Sequence, residues 1–100
     1  MATLTDFRMQ DGSRHFVSLP ENSSPSRLLR HVFGLGLAFP YFYLPGAIEV
    51  WIDFWYRGNR FTINSQLGEY WFFVKDPNCS ERVLEQVASH FEKLLVGAST

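Results

Sequence analysis

The sequence has very little cysteine, and its single thiol, Cys79, has no intramolecular partner for a disulfide. Its N-terminal segment also lacks the basic and then apolar pattern of a secretory signal peptide. Both absences favour a reducing compartment, so we expect a cytoplasmic protein. Asn22 and Asn78 each begin an Asn-X-Ser triplet, but in that compartment neither is expected to be glycosylated.

The sequence also lacks an excess of charge of either sign. Nine basic and ten acidic residues give a formal net charge of −1 at neutral pH. Binding to nucleic acid relies on many Lys and Arg side chains that displace counterions from the phosphates. A basic surface is likewise what attracts an anionic membrane. We therefore expect neither a nucleic acid nor a membrane as a partner.

No apolar run is long enough to span a bilayer. The most apolar window, residues 32–46, is interrupted by Gly34, Gly36, Pro40 and Pro45. A transmembrane helix needs about 20 consecutive apolar residues, which this window does not supply.

No catalytic, cofactor or metal motif stands out either. The three histidines lie on different predicted elements, without metal-ligand spacing to one another or to a cysteine or carboxylate: His15, His31 and His90. Glu49 and Asp53 share a strand face roughly 13 Å apart, which exceeds the spacing of a hydrolytic carboxylate pair. Cys79 begins a predicted helix, where a thiol can be activated, but a buried structural thiol is the more frequent case. These patterns favour a protein without enzyme activity over an enzyme, and we expect no cofactor and no metal.

Aromatic and aliphatic residues are abundant. The chain is 46% hydrophobic and 17% aromatic, with ten phenylalanines among its 100 residues. A disordered chain carries far fewer apolar residues. A chain of this length buries roughly two thirds of its unfolded surface, which suffices for one core without disulfides. We therefore expect a single folded domain over residues 1–100.

The strongest pattern lies in residues 47–75 and predicts a meander of three antiparallel strands. Gly58-Asn59 favours a type II′ turn, which would set Phe54 opposite Ile63. Leu67-Gly68 favours a second tight turn, which would set Phe72 opposite Ile63. A type II turn or a bulge at this second position would shift its register by one residue.

These registers divide the meander into two faces, because successive strand residues point to opposite sides. One face is continuously apolar and is the predicted core: Ile48, Val50, Ile52, Phe54, Tyr56, Phe61, Ile63, Tyr70, Phe72 and Val74. The opposite face collects all three tryptophans and one phenylalanine: Trp51, Trp55, Trp71 and Phe73. An aromatic group of that kind is unusual on the bare surface of a monomer.

The rest of the chain supplies further elements. Residues 3–19 predict a hairpin around Asp11-Gly12 with Phe7 opposite Phe16, or else one strand and a tail. Ser24-Pro25 begins a predicted helix over about 24–33, and apolar spacing predicts a second helix over about 79–95. Residues 35–46 have no clean period and are interpreted as an irregular crossover. The sequence therefore predicts an α+β fold, an antiparallel sheet with both helices packed mainly on one face.

Function depends on what covers the aromatic face. Residues 39–43 or the N-terminal hairpin would cover it within one chain, whereas a second copy or another protein would make it an interface. A small ligand or a stacked nucleic acid is less favoured. Our leading hypothesis is a small non-enzymatic cytoplasmic interaction module, homodimeric through this face. The alternative is a ligand-binding or catalytic domain with a pocket between the sheet and residues 35–46.

Overall fold

Six strands form one antiparallel sheet in the computed structural model of the chain, which describes residues 3–97. The strands are β1 Phe7–Arg8, β2 Arg14–Pro20, β3 Phe39–Pro45, β4 Val50–Tyr56, β5 Asn59–Gln66 and β6 Glu69–Val74. Their order across the sheet is β1-β2-β6-β5-β4-β3. With two α-helices on one face, the predicted α+β class is confirmed, although the sheet is larger than predicted.

The turn between β4 and β5 differs from the prediction by its position and type. It is centred on Arg57 and Gly58, whose φ angles of 51° and 77° are those of a type I′ turn. Phe54 therefore lies opposite Phe61 and not opposite Ile63. A shift of two residues leaves each residue on the same side of the sheet. The two predicted faces are therefore correct although the predicted register is wrong.

The turn between β5 and β6 is centred on Leu67 and Gly68, as predicted, and Ile63 lies opposite Phe72. It is also a type I′ turn, with φ angles of 52° and 80°. A left-handed backbone is costly for a leucine, because the Cβ atom crowds the following carbonyl oxygen. This position normally carries Asn, Asp or Gly.

Residues 35–46 are not an irregular crossover, because the segment Phe39–Pro45 forms the edge strand β3 beside β4. Two features explain why the sequence did not predict this strand. A bulge at Tyr41, between Pro40 and Phe42, interrupts the alternation of side chains. Pro40 and Pro45 also argue against a central strand, but an edge strand tolerates proline.

The N-terminal hairpin forms with a shorter first strand and a shifted register. Phe7 lies opposite His15 and not opposite Phe16, because the loop is one residue longer than a two-residue turn. The Asp11 carboxylate shapes this loop by accepting hydrogen bonds from the backbone and hydroxyl of Ser13. A one-residue shift reverses the faces, so Phe7 lies on the side away from the helices and is largely exposed.

Both predicted helices are present: α1 is Pro25–Phe33, and α2 is Glu81–Glu92, followed by a π-helical turn, Lys93–Gly97. Ser24 caps α1 by accepting a hydrogen bond from the backbone N–H of Arg27. Ser80 caps α2 by accepting one from the backbone N–H of Val83. Within residues 3–97, neither helix is long and apolar enough to cross a membrane.

The core lies between the helices and one face of the sheet. Phe91 of α2 packs on Phe54 and Phe72, with ring centroids 6.1 Å and 5.0 Å apart. The residues predicted for this face are buried with one exception. Ile48 precedes β4 in the loop after β3 and is 98% exposed, so its assignment to the core was wrong.

Candidate binding face

The sheet surface opposite the helices, termed here the open face, carries all four residues singled out from the sequence. Trp51 lies opposite Asn64, which lies opposite Trp71, so the two indoles belong to one row across β4, β5 and β6. Phe73 lies opposite Thr62 in the next row. Trp55 lies opposite Arg60 near the β4–β5 turn. The strand alternation alone therefore located these residues on a common surface.

Strand β3 extends the open face with three side chains that sequence reasoning missed. Phe39, Phe42 and Leu44 lie opposite Trp55, Asp53 and Trp51, so they share their side of the sheet. All three are largely exposed, as is Tyr41 at the bulge. Their role was hidden because residues 35–46 gave no alternating signal. The exposed aromatic surface is thus wider than the three-stranded meander predicted.

The polar groups among these aromatic rings are paired with one another. Asp53 accepts hydrogen bonds from the Thr62 hydroxyl at 2.5 Å and from the Trp51 indole N–H at 3.1 Å. The Trp71 indole N–H donates to Glu69, also at 3.1 Å. Buried or half-buried polar groups cost free energy when left unpaired, and here they are satisfied within the chain. Each of these indole N–H groups therefore has an acceptor within the chain.

Trp55 is held by a different contact. The Arg60 guanidinium carbon lies 4.7 Å from its ring centroid, a cation–π geometry. The Tyr41 ring lies with its centroid 6.2 Å from that of Trp55. Trp55 nevertheless remains 37% exposed, which is high for so large an aromatic residue on a sheet. Together with the exposed side chains of β3, this makes the β3–β4 part of the open face the least covered.

The N-terminal hairpin covers the opposite part. The His15 ring stacks on Trp71 with centroids 4.6 Å apart and lies 5.1 Å from the Phe73 ring. Its Nε2 atom is hydrogen-bonded to the Ser18 hydroxyl at 2.9 Å. Phe7 of β1 lies over the same histidine at 6.0 Å. Intramolecular cover therefore reaches the rings on β6 but not those on β3 and β4.

A central depression of about 640 Å³ separates these two parts. Its floor includes Asp53, Thr62 and Phe73, and its walls are Tyr41 and the loop before β2, with Met9 among its residues. The depression lies on the open face itself. It is not a pocket between the sheet and residues 35–46, because β3 within that segment is part of the sheet. Arg60 and Lys75 border it near the β4–β5 turn.

Two of the chemical possibilities considered from the sequence, a metal site and an activated thiol, can be compared with the described residues. Residues 3–97 contain no group of three or more histidine, cysteine, aspartate or glutamate side chains arranged to hold a metal ion. Burial raises the pKa of the Cys79 thiol, and the nearby Asp76 carboxylate acts in the same direction. A raised thiol pKa reduces the thiolate fraction, so the helix N-terminus does not activate this cysteine.

Two histidines that sequence reasoning kept apart form a pair between the helices. The rings of His31 and His90 stack with centroids 3.8 Å apart. Each Nε2 atom lies 2.6 Å from the backbone carbonyl oxygen of the other residue, so each donates a hydrogen bond to it. The Cβ of a residue larger than Gly34 would approach His90 to 2.9 Å, so the glycine makes room for the pair. The spacing gave no signal because the residues are far apart in sequence.

The burial of these histidines leads us to expect that the free energy of unfolding depends on pH. Burial lowers the pKa of His90 below its usual 6.5. The hydrogen bond to the His31 backbone opposes this shift, whereas the nearby charges of the His31 ring and Lys93 add to it. Burial likewise lowers the pKa of His15. A histidine whose pKa is lower in the folded state makes the unfolded chain bind more protons, so stability falls as pH drops below about 6.5. Urea unfolding should therefore give a smaller free energy of unfolding at pH 5.5 than at pH 7.5.

The control for this experiment is a double variant, His15→Gln with His90→Gln, which keeps a side-chain donor but cannot titrate. Its free energy of unfolding should change less between the two pH values than that of the wild type. An equal pH dependence in both proteins would show that other groups are responsible.

The open face is thus the candidate site, an aromatic surface whose internal polar groups are paired and whose β3–β4 part lacks cover from the described chain. A comparison of the sequence and structure with protein-family models, curated proteins and solved structures finds no match.

Proposed function

We propose that the chain is a small non-enzymatic interaction module of the cytoplasm that forms a homodimer through the open face. The observation that carries this proposal is the breadth of exposed aromatic surface on β3 and β4, over which no helix of residues 3–97 lies. Contiguous apolar patches on soluble proteins mark interaction sites. Aromatic residues are enriched in interface cores and contribute most of their binding energy.

The size of the face suits a second copy of the chain. Five of the strands have six to eight residues, whereas β1 has two. At the usual strand spacing and rise, five such strands cover roughly 24 Å by 23 Å, or about 550 Å². Two copies packed face to face over all five strands would bury at most roughly 1,100 Å², close to the lower limit of about 1,000 Å² for a specific interface. A much smaller partner would leave part of the face exposed.

Sedimentation of the wild-type protein over a range of concentrations tests this proposal. We expect a reversible change from a mass of 11.6 kDa to twice that mass. Quenching of tryptophan fluorescence by acrylamide should decrease over the same range, because Trp55 would lose its access to water. A protein that stays monomeric at high concentration, with quenching that does not change, would contradict the homodimer.

A second candidate function is the binding of a small ligand in the central depression. Its volume of about 640 Å³ falls within the range of roughly 300–1,000 Å³ typical of small-molecule sites. Its floor combines aromatic surface with the polar groups of Asp53 and Thr62, but these already bond to each other. A chain that remains monomeric at all concentrations would favour this function over the first.

A further inference from the structure

Charged side chains are distributed unevenly along the strands of the open face. Glu49 and Glu69 lie beside the Leu67-Gly68 turn, at what we call the acidic end. Arg60 and Lys75 lie beside the β4–β5 turn, at what we call the basic end. All four side chains are exposed. The two ends are about 20 Å apart, from the strand rise over the six residues that separate them along β5.

The acidic end also carries two aliphatic side chains that have no packing in the monomer. Ile48 is 98% exposed and Leu67 is 93% exposed. They border a smaller depression of about 400 Å³, together with Trp51 and Asn64 of the open face. Leu67 combines this exposure with a left-handed backbone that a leucine adopts at a cost. The monomer gains nothing from a leucine at this position.

The central depression is displaced toward the other end. The loop before β2 walls it there with Met9 and Asp11, beside Arg60 and Lys75. One end of the open face therefore carries exposed aliphatic tips and negative charge. The other end carries a hollow and two exposed cations, Arg60 and Lys75, with the Asp11 carboxylate beside them. The two ends complement each other in shape and in sign.

We infer that two copies pack face to face about a two-fold axis that lies between the sheets and runs across the strands. This inference rests on the proposed homodimer and gives its geometry. Such an axis reverses the strand direction of the second copy, so each acidic end lies over the basic end of its partner. An axis along the strands would instead superimpose ends of like charge, which costs free energy and suppresses that arrangement.

A two-fold interface is isologous, so each contact between the two open faces occurs twice. In each half, Ile48 and Leu67 of one copy approach the hollow of the other. Arg60 and Lys75 of that second copy lie opposite Glu49 and Glu69 of the first. The exposed tips are thereby removed from water, and the charge pairs fix the register of the two sheets.

A charge-reversal experiment tests the axis. One variant carries Arg60→Glu and Lys75→Glu, and the other carries Glu49→Lys and Glu69→Lys. Each alone would place like charges opposite each other and should dimerise at least ten-fold more weakly than the wild type. An equimolar mixture restores every opposite pair, so a heterodimer should form with an affinity within a few-fold of the wild-type homodimer. The matched control is Glu85→Lys, an exposed residue on α2, which should leave dimerisation unchanged.

The outcomes separate this inference from the proposal on which it rests. A wild-type protein that never dimerises overturns both. A wild-type dimer whose two charge variants fail to combine overturns the axis but keeps the homodimer. Charge variants that self-associate as tightly as the wild type, together with a mixed dimer much tighter than the wild-type homodimer, would place the axis along the strands.

The exposed leucine gives a second, independent test. Leu67→Asn replaces the leucine by a residue that adopts the left-handed conformation of this turn position more readily. The monomer should therefore become more resistant to urea. The same variant loses the aliphatic tip, so its dimerisation should weaken by about ten-fold. A residue with a purely structural role would not shift the two measurements in opposite directions. Unchanged dimerisation of Leu67→Asn would overturn the insertion of this side chain into the partner.

Discussion

Replacement of Phe54 by alanine is expected to lower the free energy of unfolding by about 3–5 kcal/mol, because a large buried ring leaves a cavity that the core cannot refill. The Phe54 side chain is fully buried between the sheet and the helices. Its ring stacks on Phe61 at 5.3 Å and lies 6.1 Å from Phe91 of α2. For a small domain whose total stability is about 5–15 kcal/mol, this loss is a large fraction. Urea unfolding followed by circular dichroism measures it.

The neighbouring residue on the same strand provides the matched control. Trp55→Ala removes an even larger side chain, but from the open face, so under conditions where the chain is monomeric it should cost much less than Phe54→Ala. A loss below about 1 kcal/mol for Phe54→Ala would show that the two faces of the sheet had been exchanged.

Replacement of Trp55 by glutamate is expected to raise the dissociation constant of the proposed dimer by at least 100-fold. The change removes a large aromatic contact and places a carboxylate in a surface that would be desolvated. Arg60, which lies opposite position 55, would pair with that carboxylate and so no longer be available to the partner. In the inferred geometry it also adds negative charge opposite the acidic end of the partner. Sedimentation at several concentrations should show a monomer where the wild type is dimeric.

The fold of this variant should be intact, because Trp55 takes no part in the core on the helix side. Its far-ultraviolet circular dichroism should match that of the wild type. Trp55→Phe keeps an aromatic ring over which Arg60 can lie and should retain most of the affinity. A Trp55→Glu protein that dimerises as tightly as the wild type would exclude the β4 part of the open face from the interface.

The two faces of the meander could be predicted from the sequence because they depend only on the parity of each position. The turn at Arg57-Gly58 was placed one residue too late, yet Phe54 still meets a core residue, Phe61. The tryptophans were grouped correctly for the same reason. The turn type was missed because it required a left-handed arginine, a conformation that local sequence preference does not favour.

Features that depend on contacts distant in sequence could not be predicted in this way. Strand β3 is stabilised by its pairing with β4, and its bulge at Tyr41 removes the alternation that would have identified it. The pairing of His31 with His90 exists only because α1 and α2 lie side by side. The hairpin register is set by the Asp11 loop, where a one-residue difference reverses the faces.

The candidate site was predicted in part for the same physical reason. Its tryptophans lie on strands whose side chains alternate clearly. Phe39, Phe42 and Leu44 lie on β3, which the sequence did not predict as a strand. Without them, the aromatic surface is a narrow strip over the meander. With them, it reaches the edge of the sheet.

The prolines of β3 have a consequence for how far association can proceed. An edge strand with regular donors and acceptors can add the strand of another chain, and repeated addition builds a fibre. Pro40 and Pro45 have no N–H to donate, and the bulge at Tyr41 disturbs the spacing of the remaining groups. At the opposite edge, the two residues of β1 pair with Arg14 and His15, out of the seven residues of β2. Growth by strand addition is therefore hindered at the β3 edge, which borders the most exposed part of the aromatic surface, so association there is directed to the open face and away from the strand edge.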